Sequence, residues 1–203
     1  VPQDFTAELR IYEPGPGNLS KIISPKFQLN SAALVNCSFN SANHQMNLLV
    51  KVPGDVKINN LRAKQVEVNA SASGHAFDFH AAVDKIYSGE EVLLDSVLFN
   101  SRTDGQDIRF DILASEKTRT NYADITAYLT PLKDKAVLRL DTSDIRLGNN
   151  NWHFSEGNSI TIEGKKITTN NLVFKTQEQA IYIKSYLKND TSTVPKGHIR
   201  SWN

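Results

Sequence analysis

The chain has 203 residues, a hydrophobic content of 39% and a formal net charge of +1, with both signs dispersed along the sequence. This balance gives no electrostatic case for nucleic acid or an anionic membrane surface, and no run approaches the roughly 20 apolar residues that span a bilayer. The single cysteine, Cys37, excludes an intrachain disulfide and a cysteine-based metal site.

The N-terminal part alternates apolar and polar residues, which is typical of strands with one buried face. The predicted strands are Phe5–Ile11, Leu19–Leu29, Ala33–Phe39 and Met46–Val52. Pro25 interrupts the second of these and makes it an edge or broken strand. The last two form a hairpin, which Pro53 and Gly54 are expected to close. The chain opens at Val1 without a methionine, so we expect a segment of a longer protein.

From Gly54 onward the spacing of strands and turns becomes regular. The stretch Val56–Val68 is predicted to be extended, with a kink near Asn59 and Asn60. Further strands are predicted at Phe77–Val83, Val92–Phe99, Ile108–Ala114, Tyr122–Leu129 and Ala136–Leu140. A weak repeat begins at Gly54, Gly89 and Gly164, and each copy opens a strand, a turn and a return strand. Any β-meander shows similar spacing, so the repeat remains one of two interpretations.

The stretch Asn151–Leu187 continues this pattern, with hairpin turns predicted at Glu156–Asn158 and Glu163–Lys165. No convincing amphipathic helix occurs, so we predict an all-β fold, a long antiparallel β-meander. The predicted organisation is one β-domain over residues 1–187, followed by a polar C-terminal tail at 188–203. Within that domain, residues 1–53 form leading strands and residues 54–187 form repeated hairpin units.

Large apolar residues recur at alternate strand positions, and no predicted helix is present to cover them. The candidate binding residues are Phe77, Phe79, Phe110, Ile112, Trp152, Phe154, Ile160, Ile162, Phe174, Ile181 and Ile183. Such a face is buried either by a second sheet or by the same sheet folding over itself. If closure is incomplete, a hydrophobic groove remains, and it suits an acyl chain or an unpaired strand of a client protein.

No catalytic, cofactor-binding or metal-binding constellation rises above background. His75 and His80 are five residues apart, so on one strand their side chains point to opposite faces and do not share a metal. Asp107 and Asp111 share a strand face with Arg109 between them, which indicates a solvated charged face. We therefore predict a protein that is not an enzyme and has no cofactor.

The C-terminal third resembles a known family. Five short segments carry the resemblance: Asn151–Phe154, Ile160–Ile162, Lys166–Ile167, Asn170–Phe174 and Gln179–Ile183. They are similar to the C-terminal region of TamB-like proteins, the inner-membrane component of the translocation and assembly module, especially its Bacteroidetes-type members. A looser similarity extends over about Val56–Asp144. One departure is Lys184-Ser185, where the family often has a glycine.

The resemblance implies a fold and a function. TamB-like proteins belong with the AsmA-like and bridge-like lipid-transfer proteins, and their repeats form a β-taco, a sheet folded into an open groove with a hydrophobic interior. We therefore expect a periplasmic segment of a longer, inner-membrane-anchored protein of a Gram-negative cell envelope. Its expected role is phospholipid transport to the outer membrane and outer-membrane protein assembly. The expected partners are phospholipid or another lipid and an outer-membrane assembly protein of the Omp85 type, with no nucleic acid.

One alternative stays open at this point. A closed β-sandwich would leave no groove and would instead suit an adhesin or a carbohydrate-binding module. That function requires exposed aromatic residues at loop tips or a wet platform, for which Tyr87, Tyr122 and Trp202 are the candidates.

Overall fold

The computed structural model describes residues 4–11, 27–141, 143–188 and 192–201. Every regular element in these residues is a β-strand, and the strand pairings are antiparallel. The prediction of an all-β antiparallel meander is therefore confirmed. Most of the predicted strand Leu19–Leu29 lies outside the described residues, and only its last part, Phe27–Leu29, is observed as a strand.

Eighteen strands form two compact units. Unit 1 comprises residues 1–102 and 113–117, and unit 2 comprises residues 103–112 and 118–203. The strands that begin in unit 1 are β1 (Asp4–Ile11), β2 (Phe27–Leu29), β3 (Ala33–Asn40), β4 (Gln45–Ile58), β5 (Leu61–Ser73), β6 (Ala76–Ser88), β7 (Glu91–Leu94) and β8 (Ser96–Asp104). Those that begin in unit 2 are β9 (Asp107–Ser115), β10 (Tyr122–Pro131), β11 (Ala136–Leu140), β12 (Asp144–Leu147), β13 (Asn150–Phe154), β14 (Ser159–Glu163), β15 (Lys166–Asn170), β16 (Val173–Lys175), β17 (Gln179–Lys188) and β18 (Ser192–Ser201). The single β-domain expected over residues 1–187 stays a prediction.

Unit 1 is an open meander of long strands. β3 pairs with β1 on one side and with β4 on the other, and the ladder continues through β5 and β6 to β8. The predicted kink near Asn59 is in fact a tight turn between β4 and β5, in which Asn59 has a φ of 56°. Asparagine tolerates this left-handed conformation better than most residues, so the sequence already held the signal for a turn.

A line of irregularities crosses the strands of unit 1 near their middle. β4 continues through Pro53 and Gly54 instead of ending there, and its register against β5 shifts between Val52 and Asp55. Opposite this shift, Gln65 has a φ of 51°. Leu29, Ala33, Val52 and Val56 form a small buried cluster beside the shift, with Val50 and Val66 packed against it. The bulge therefore interrupts strand pairing but keeps an apolar contact across the break.

Gly54 sits in this bulge because no larger residue fits. A Cβ atom at Gly54 would lie 2.6 Å from Ser31 Oγ and would also overlap Ser31 Cβ. The Gly54 amide donates a hydrogen bond to Ser31 Oγ at 3.1 Å. The close approach of backbone to side chain therefore requires glycine.

We expect Gly54→Ala to lower the free energy of unfolding by about 1–3 kcal/mol, because the methyl group forces a shift in a packed site. A second change, Ser31→Gly, removes both clashing atoms. The Gly54→Ala/Ser31→Gly double variant should therefore be more stable than the sum of the two single effects predicts. Urea midpoints of the four proteins measure the coupling, and strictly additive effects would show that the clash is not the cause.

Unit 2 contains two ladders that share β10. The second half of β10 pairs with β11, which pairs with β14 and then β15. The first half of β10 pairs with β12, and this ladder continues through β13, β16 and β17. The predicted hairpin at Glu163–Lys165 is confirmed by the β14–β15 pairing. The one predicted at Glu156–Asn158 is wrong, because that turn carries the chain from one ladder to the other.

Asn158 holds this crossing in place. Its side chain is 4% exposed, and its Oδ1 accepts a hydrogen bond from the Leu140 amide at 2.9 Å. Its Nδ2 donates to the carbonyl oxygens of Leu140 and Ser155, each at 2.7 Å. The side-chain amide thus satisfies both backbone groups of Leu140, as a neighbouring strand would.

Within the stretch predicted as a polar tail at 188–203, Lys188 and residues 192–201 lie in strands, and the remaining residues lie outside the described ranges. β17 extends to Lys188, and β18 pairs with it from Lys188↔Ser192 to Gln179↔Ser201. The mostly polar segment Ser192–Ser201 therefore forms a strand. Backbone pairing to an existing edge is sufficient to order it, because it satisfies the N–H and C=O groups without an apolar face.

Candidate functional site: the apolar faces of the two units

One face of the unit 1 sheet is almost wholly apolar. In an antiparallel ladder, residues directly opposite each other lie on the same face, so the register assigns the side chains. The face comprises Phe5, Ala7, Val35, Cys37, Phe39, Met46, Leu48, Val50, Val52, Val66, Val68, Ala70, Ala72, Phe77, Phe79, Ala81, Val83, Val97, Phe99 and the single polar residue Ser101. We call it the apolar face of unit 1.

Its aromatic residues are only partly covered. Phe5 is 52% exposed and Phe77 is 37% exposed, and both lie on the edge row of this face. The Phe79 ring lies between two others, 6.4 Å from Phe77 and 5.7 Å from Phe99 between ring centroids. Ring contacts at this spacing are favourable, so the three rings form a partly exposed aromatic cluster on β6 and β8.

Unit 2 has an equivalent face. The register places Ala123, Ile125, Ala127, Leu129, Ala136, Leu138, Leu140, Ile145, Trp152, Phe154, Ile160, Ile162, Ile167, Phe174, Ile181 and Ile183 on one side. On β9, Asp107 and Asp111 accept hydrogen bonds from Thr130 and Thr126, which point to the other side of β10. Ile108, Phe110 and Ile112 therefore join the apolar side. We call this set the apolar face of unit 2.

An aromatic trio lies within that face. The Phe174 ring is stacked on Trp152 at 4.7 Å between centroids and contacts Phe154 at 4.9 Å. Nearby, Thr169 and Ser185 bring hydroxyl groups to the same side, but each accepts a hydrogen bond from the other's backbone amide, at 3.0 and 3.1 Å. Both hydroxyl oxygens thus have hydrogen-bond partners on the neighbouring strand, and the face remains mainly apolar.

Each residue predicted from the sequence therefore lies on one of these two faces. Phe77 and Phe79 lie on the apolar face of unit 1, and the other nine lie on that of unit 2. All eleven retain some exposure, which is 40% at Ile162. The alternation rule had located their shared side correctly within each unit, whereas their function as a groove stays a prediction.

The interior of the described residues is thin. Nine hydrophobic residues are buried, whereas eleven large hydrophobic side chains are exposed, and four of these eleven (Phe5, Phe39, Phe77 and Ile162) belong to the two apolar faces. A face with this composition would be covered in a two-layer domain, since sheets bury one side against another element. In each unit, the apolar side chains are instead left partly available to a ligand.

The opposite side of unit 1 is polar, and a concavity of about 540 Å³ spans three successive rows of the sheet. Its middle row, which is Ala7, Cys37, Leu48, Ala70 and Phe79, belongs to the apolar face, and the residues of the two flanking rows are mostly polar. Its polar side chains are those of Thr6, Asn36, Ser38, Asn47, Asn69, Ser71, Asp78 and His80. This site was not predicted from the sequence. The available signal was a polar residue, often asparagine, at alternate positions of successive strands.

Hydrogen bonds order this polar face. The His80 Nδ1 lies 2.6 Å from Asn100 Oδ1, and Asn69 Nδ2 donates to Glu67 Oε1 at 3.0 Å. Lys51 forms an ion pair with Glu67 at 3.2 Å. The Asn69 hydrogen bond and then the Lys51 contact hold the pKa of the Glu67 carboxyl below its usual value.

A pH dependence follows from the Glu67 pairing. A carboxyl whose folded-state pKa is lowered contributes stability above its unfolded pKa and loses it as the pH falls through the folded value. We therefore expect the free energy of unfolding to decline below about pH 4.5, the ordinary value for glutamate. Glu67→Gln should flatten that decline, as measured by urea unfolding across pH. An unchanged slope in the variant would assign the acid sensitivity to other groups.

Polar contacts also cover the second side of unit 2. Arg109 donates to both carboxylate oxygens of Asp111, and this contact raises the pKa of the arginine. Tyr122 donates its hydroxyl proton to Asp144, which raises the pKa of the phenol. Arg139 pairs with Asp107 at 2.9 Å. Asp107 and Asp111 thus share a face, as predicted, but each has a cationic partner and a threonine hydroxyl.

Nothing in the described ranges points to metal chemistry, because no group of three or more potential ligand residues converges there. In the same part of the chain, no helix is long and apolar enough to cross a membrane. No family model matches the chain, and no curated protein or solved structure matches it significantly.

Proposed function

We propose that the apolar faces of the two units bind the acyl chains of lipids. The observation that carries this proposal is the register of unit 1, which places apolar side chains from six strands on one side while Phe5, Phe39 and Phe77 remain exposed. Five strand spacings give this face a width of about 24 Å. A surface of that size can accommodate an extended acyl chain across the strands.

Binding on such a face is passive. Each methylene group that leaves water contributes about 0.8 kcal/mol, and the aromatic rings of Phe79 and Phe174 provide large contact areas. Adjacent rows of valine, alanine and phenylalanine offer similar environments, as at Val68↔Ala81 and Ala70↔Phe79. A chain bound at one row can therefore move to the next with little change in free energy.

The biological setting that we propose rests on the resemblance to TamB-like proteins. In that setting the chain is a periplasmic segment of an inner-membrane-anchored protein, and it takes part in phospholipid transport to the outer membrane. It also assists outer-membrane protein assembly, with an Omp85-type protein as partner. A client β-strand is a second ligand for the same faces, since an extended segment with alternating apolar side chains has matching chemistry.

Native mass spectrometry of gently purified protein tests the proposal. We expect adducts with the masses of phospholipids, and these should be lost after extraction with organic solvent. The delipidated protein should then take up a fluorescent acyl-chain probe. Protein that purifies without lipid and takes up no probe would contradict acyl-chain binding.

A second candidate function has a separate observation in its favour. The concavity of unit 1 is lined by amide and hydroxyl groups, one carboxylate (Asp78) and one imidazole (His80), beside a row of apolar-face residues that includes Leu48 and Phe79. These groups suit the hydroxyls of a sugar better than an acyl chain. Binding of neutral oligosaccharides without any lipid binding would favour a carbohydrate-binding module over the proposed function.

A further inference from the structure

Four cationic side chains gather beside the bulge of unit 1, in two neighbouring rows of the sheet. In one row Lys57 stands directly opposite Arg62, which in turn stands opposite Tyr87. Two residues along, Lys64 stands directly opposite Lys85 on one side and opposite Asp55 on the other. Like charges facing each other across strands destabilise a sheet. Asp55 stands opposite Lys64 and pairs with Arg62, so this one carboxylate offsets the repulsion among the four cations only in part.

The contacts of these cations leave positive charge uncompensated. Arg62 forms an ion pair with Asp55 at 3.3 Å, and Lys85 forms a long one with Asp95 at 3.8 Å. Within the described residues, Lys57 and Lys64 form no ion pair. Lys64 Nζ instead lies 5.4 Å from the centroid of the Tyr87 ring, and the Arg62 guanidinium carbon lies 4.3 Å from it. One ring thus holds two cations close together.

A cavity of about 360 Å³ has both Lys64 and Lys85 in its lining. This is about ten times the volume of a water molecule in the liquid, so the cavity accommodates a phosphate-sized group. Its lining includes Gly54, where no side chain intrudes, and Gln65, whose φ of 51° is strained for a residue other than glycine. Asp55 and Asp84 also line the cavity, and Asp55 forms an ion pair with Arg62.

We propose that this cluster is an anion site for a phosphate-class group, either free phosphate or the phosphate of a lipid head group. Lys64 and Lys85 line the cavity and supply point charges to it, while Lys57 and Arg62 stand outside the lining and add positive charge nearby. A bound dianion relieves the repulsion in both like-charged rows. Asp84, an exposed carboxylate in the lining, opposes binding. The site is independent of acyl-chain binding by the apolar faces, and either can fail without the other.

Titration of the isotope-labelled protein with inorganic phosphate, at constant ionic strength, tests the site by nuclear magnetic resonance. We expect saturable amide shifts centred on residues 62–65 and 84–87. The Lys57→Gln/Lys64→Gln variant should bind phosphate roughly fivefold more weakly for each lysine removed. Without phosphate it should be at least as stable as the wild type, because like-charge opposition is removed.

Two further variants separate a site from general charge screening. Asp84→Asn should bind phosphate more tightly, because it removes the opposing carboxylate. Lys135→Gln changes a lysine in an exposed turn of unit 2 and should leave binding unchanged. The proposal is overturned if the shifts do not saturate, or if Lys135→Gln weakens binding as much as the double variant does.

Vesicles distinguish the two sources of phosphate. Sedimentation with phosphatidylcholine vesicles, with and without phosphatidylglycerol, measures the preference for an anionic head group. A preference that the double variant loses assigns the site to lipid head groups. Saturable phosphate binding with no vesicle preference assigns it to free phosphate. A vesicle preference that the double variant retains would contradict the proposed site.

Discussion

Replacing Phe79 with aspartate is expected to weaken acyl-chain binding by unit 1 about tenfold or more. The ring lies on the apolar face between Phe77 and Phe99, so its loss removes contact with two or three methylenes, at about 0.8 kcal/mol each. The new carboxylate also has to be desolvated whenever a chain lies across it. Equilibrium binding of a fluorescent fatty acid to delipidated protein measures the effect.

His80→Asp is the matched control, because it introduces the same charge one residue away on the opposite face. We expect this variant to bind the fatty acid as the wild type does. Unfolding midpoints of both variants separate lost binding from lost structure. Equal loss of binding in both variants, or no loss in Phe79→Asp, would show that the lipid does not lie on the apolar face.

Asn158→Asp should have the largest effect on stability. The substitution replaces an amide that donates to the Leu140 and Ser155 carbonyls with a carboxylate that faces them as a second acceptor. Leaving a buried charge without a partner costs about 3–5 kcal/mol. The variant carboxyl will have a raised folded-state pKa, so the loss is greatest at neutral pH and shrinks as the pH falls and the group becomes protonated.

Two comparison variants define the cause. Asn158→Ala removes the hydrogen bonds without adding charge, and we expect a smaller cost of about 1–3 kcal/mol that does not vary with pH. Asn150→Asp places the same change at an exposed position of β13 and should be nearly neutral. Denaturant unfolding at neutral and acidic pH distinguishes these results. A cost of Asn158→Asp that does not change with pH would contradict a buried, unpaired carboxylate.

Much of the fold could be predicted from alternation because the two sides of each strand differ so clearly in chemistry. Along β6, Phe77, Phe79, Ala81 and Val83 alternate with Asp78, His80 and Ala82, and the structure places the two sets on opposite faces. The glycines at turns were similarly informative, since Gly89 and Gly164 have φ values of 62° and 56°. Local physical chemistry determines both features.

Pairing partners in unit 2 could not be predicted because they depend on distant residues. The segment around Glu156–Asn158 has the composition of a hairpin turn, yet β14 pairs with β11 and β13 pairs with β16. The decisive contact joins Asn158 to Leu140, eighteen residues earlier. Nothing in the local sequence distinguishes an asparagine that turns the chain from one that completes a distant strand.

The candidate site shows the same division. The apolar faces can be predicted from the alternation of apolar and polar residues. The concavity of unit 1 and the cation cluster depend instead on which residues of neighbouring strands stand opposite each other. Lys64 lies in the predicted strand Val56–Val68 and Lys85 lies just beyond the predicted strand Phe77–Val83, and only the β5–β6 pairing places them opposite each other. The bulge between Val52 and Asp55 shifts the register of β4 against β5, which places Lys57 opposite Arg62, and it cannot be inferred from composition.

Photocrosslinking along β6 tests the central claim, that lipid lies on the apolar face of unit 1, most directly. A photoreactive amino acid is placed in turn at each position from Phe77 to Val83, and the protein is irradiated with a phospholipid that carries a tagged acyl chain. The account predicts crosslinks at 77, 79, 81 and 83 and little signal at 78, 80 and 82. Crosslinks at the even positions, or equal labelling at every position, would contradict it.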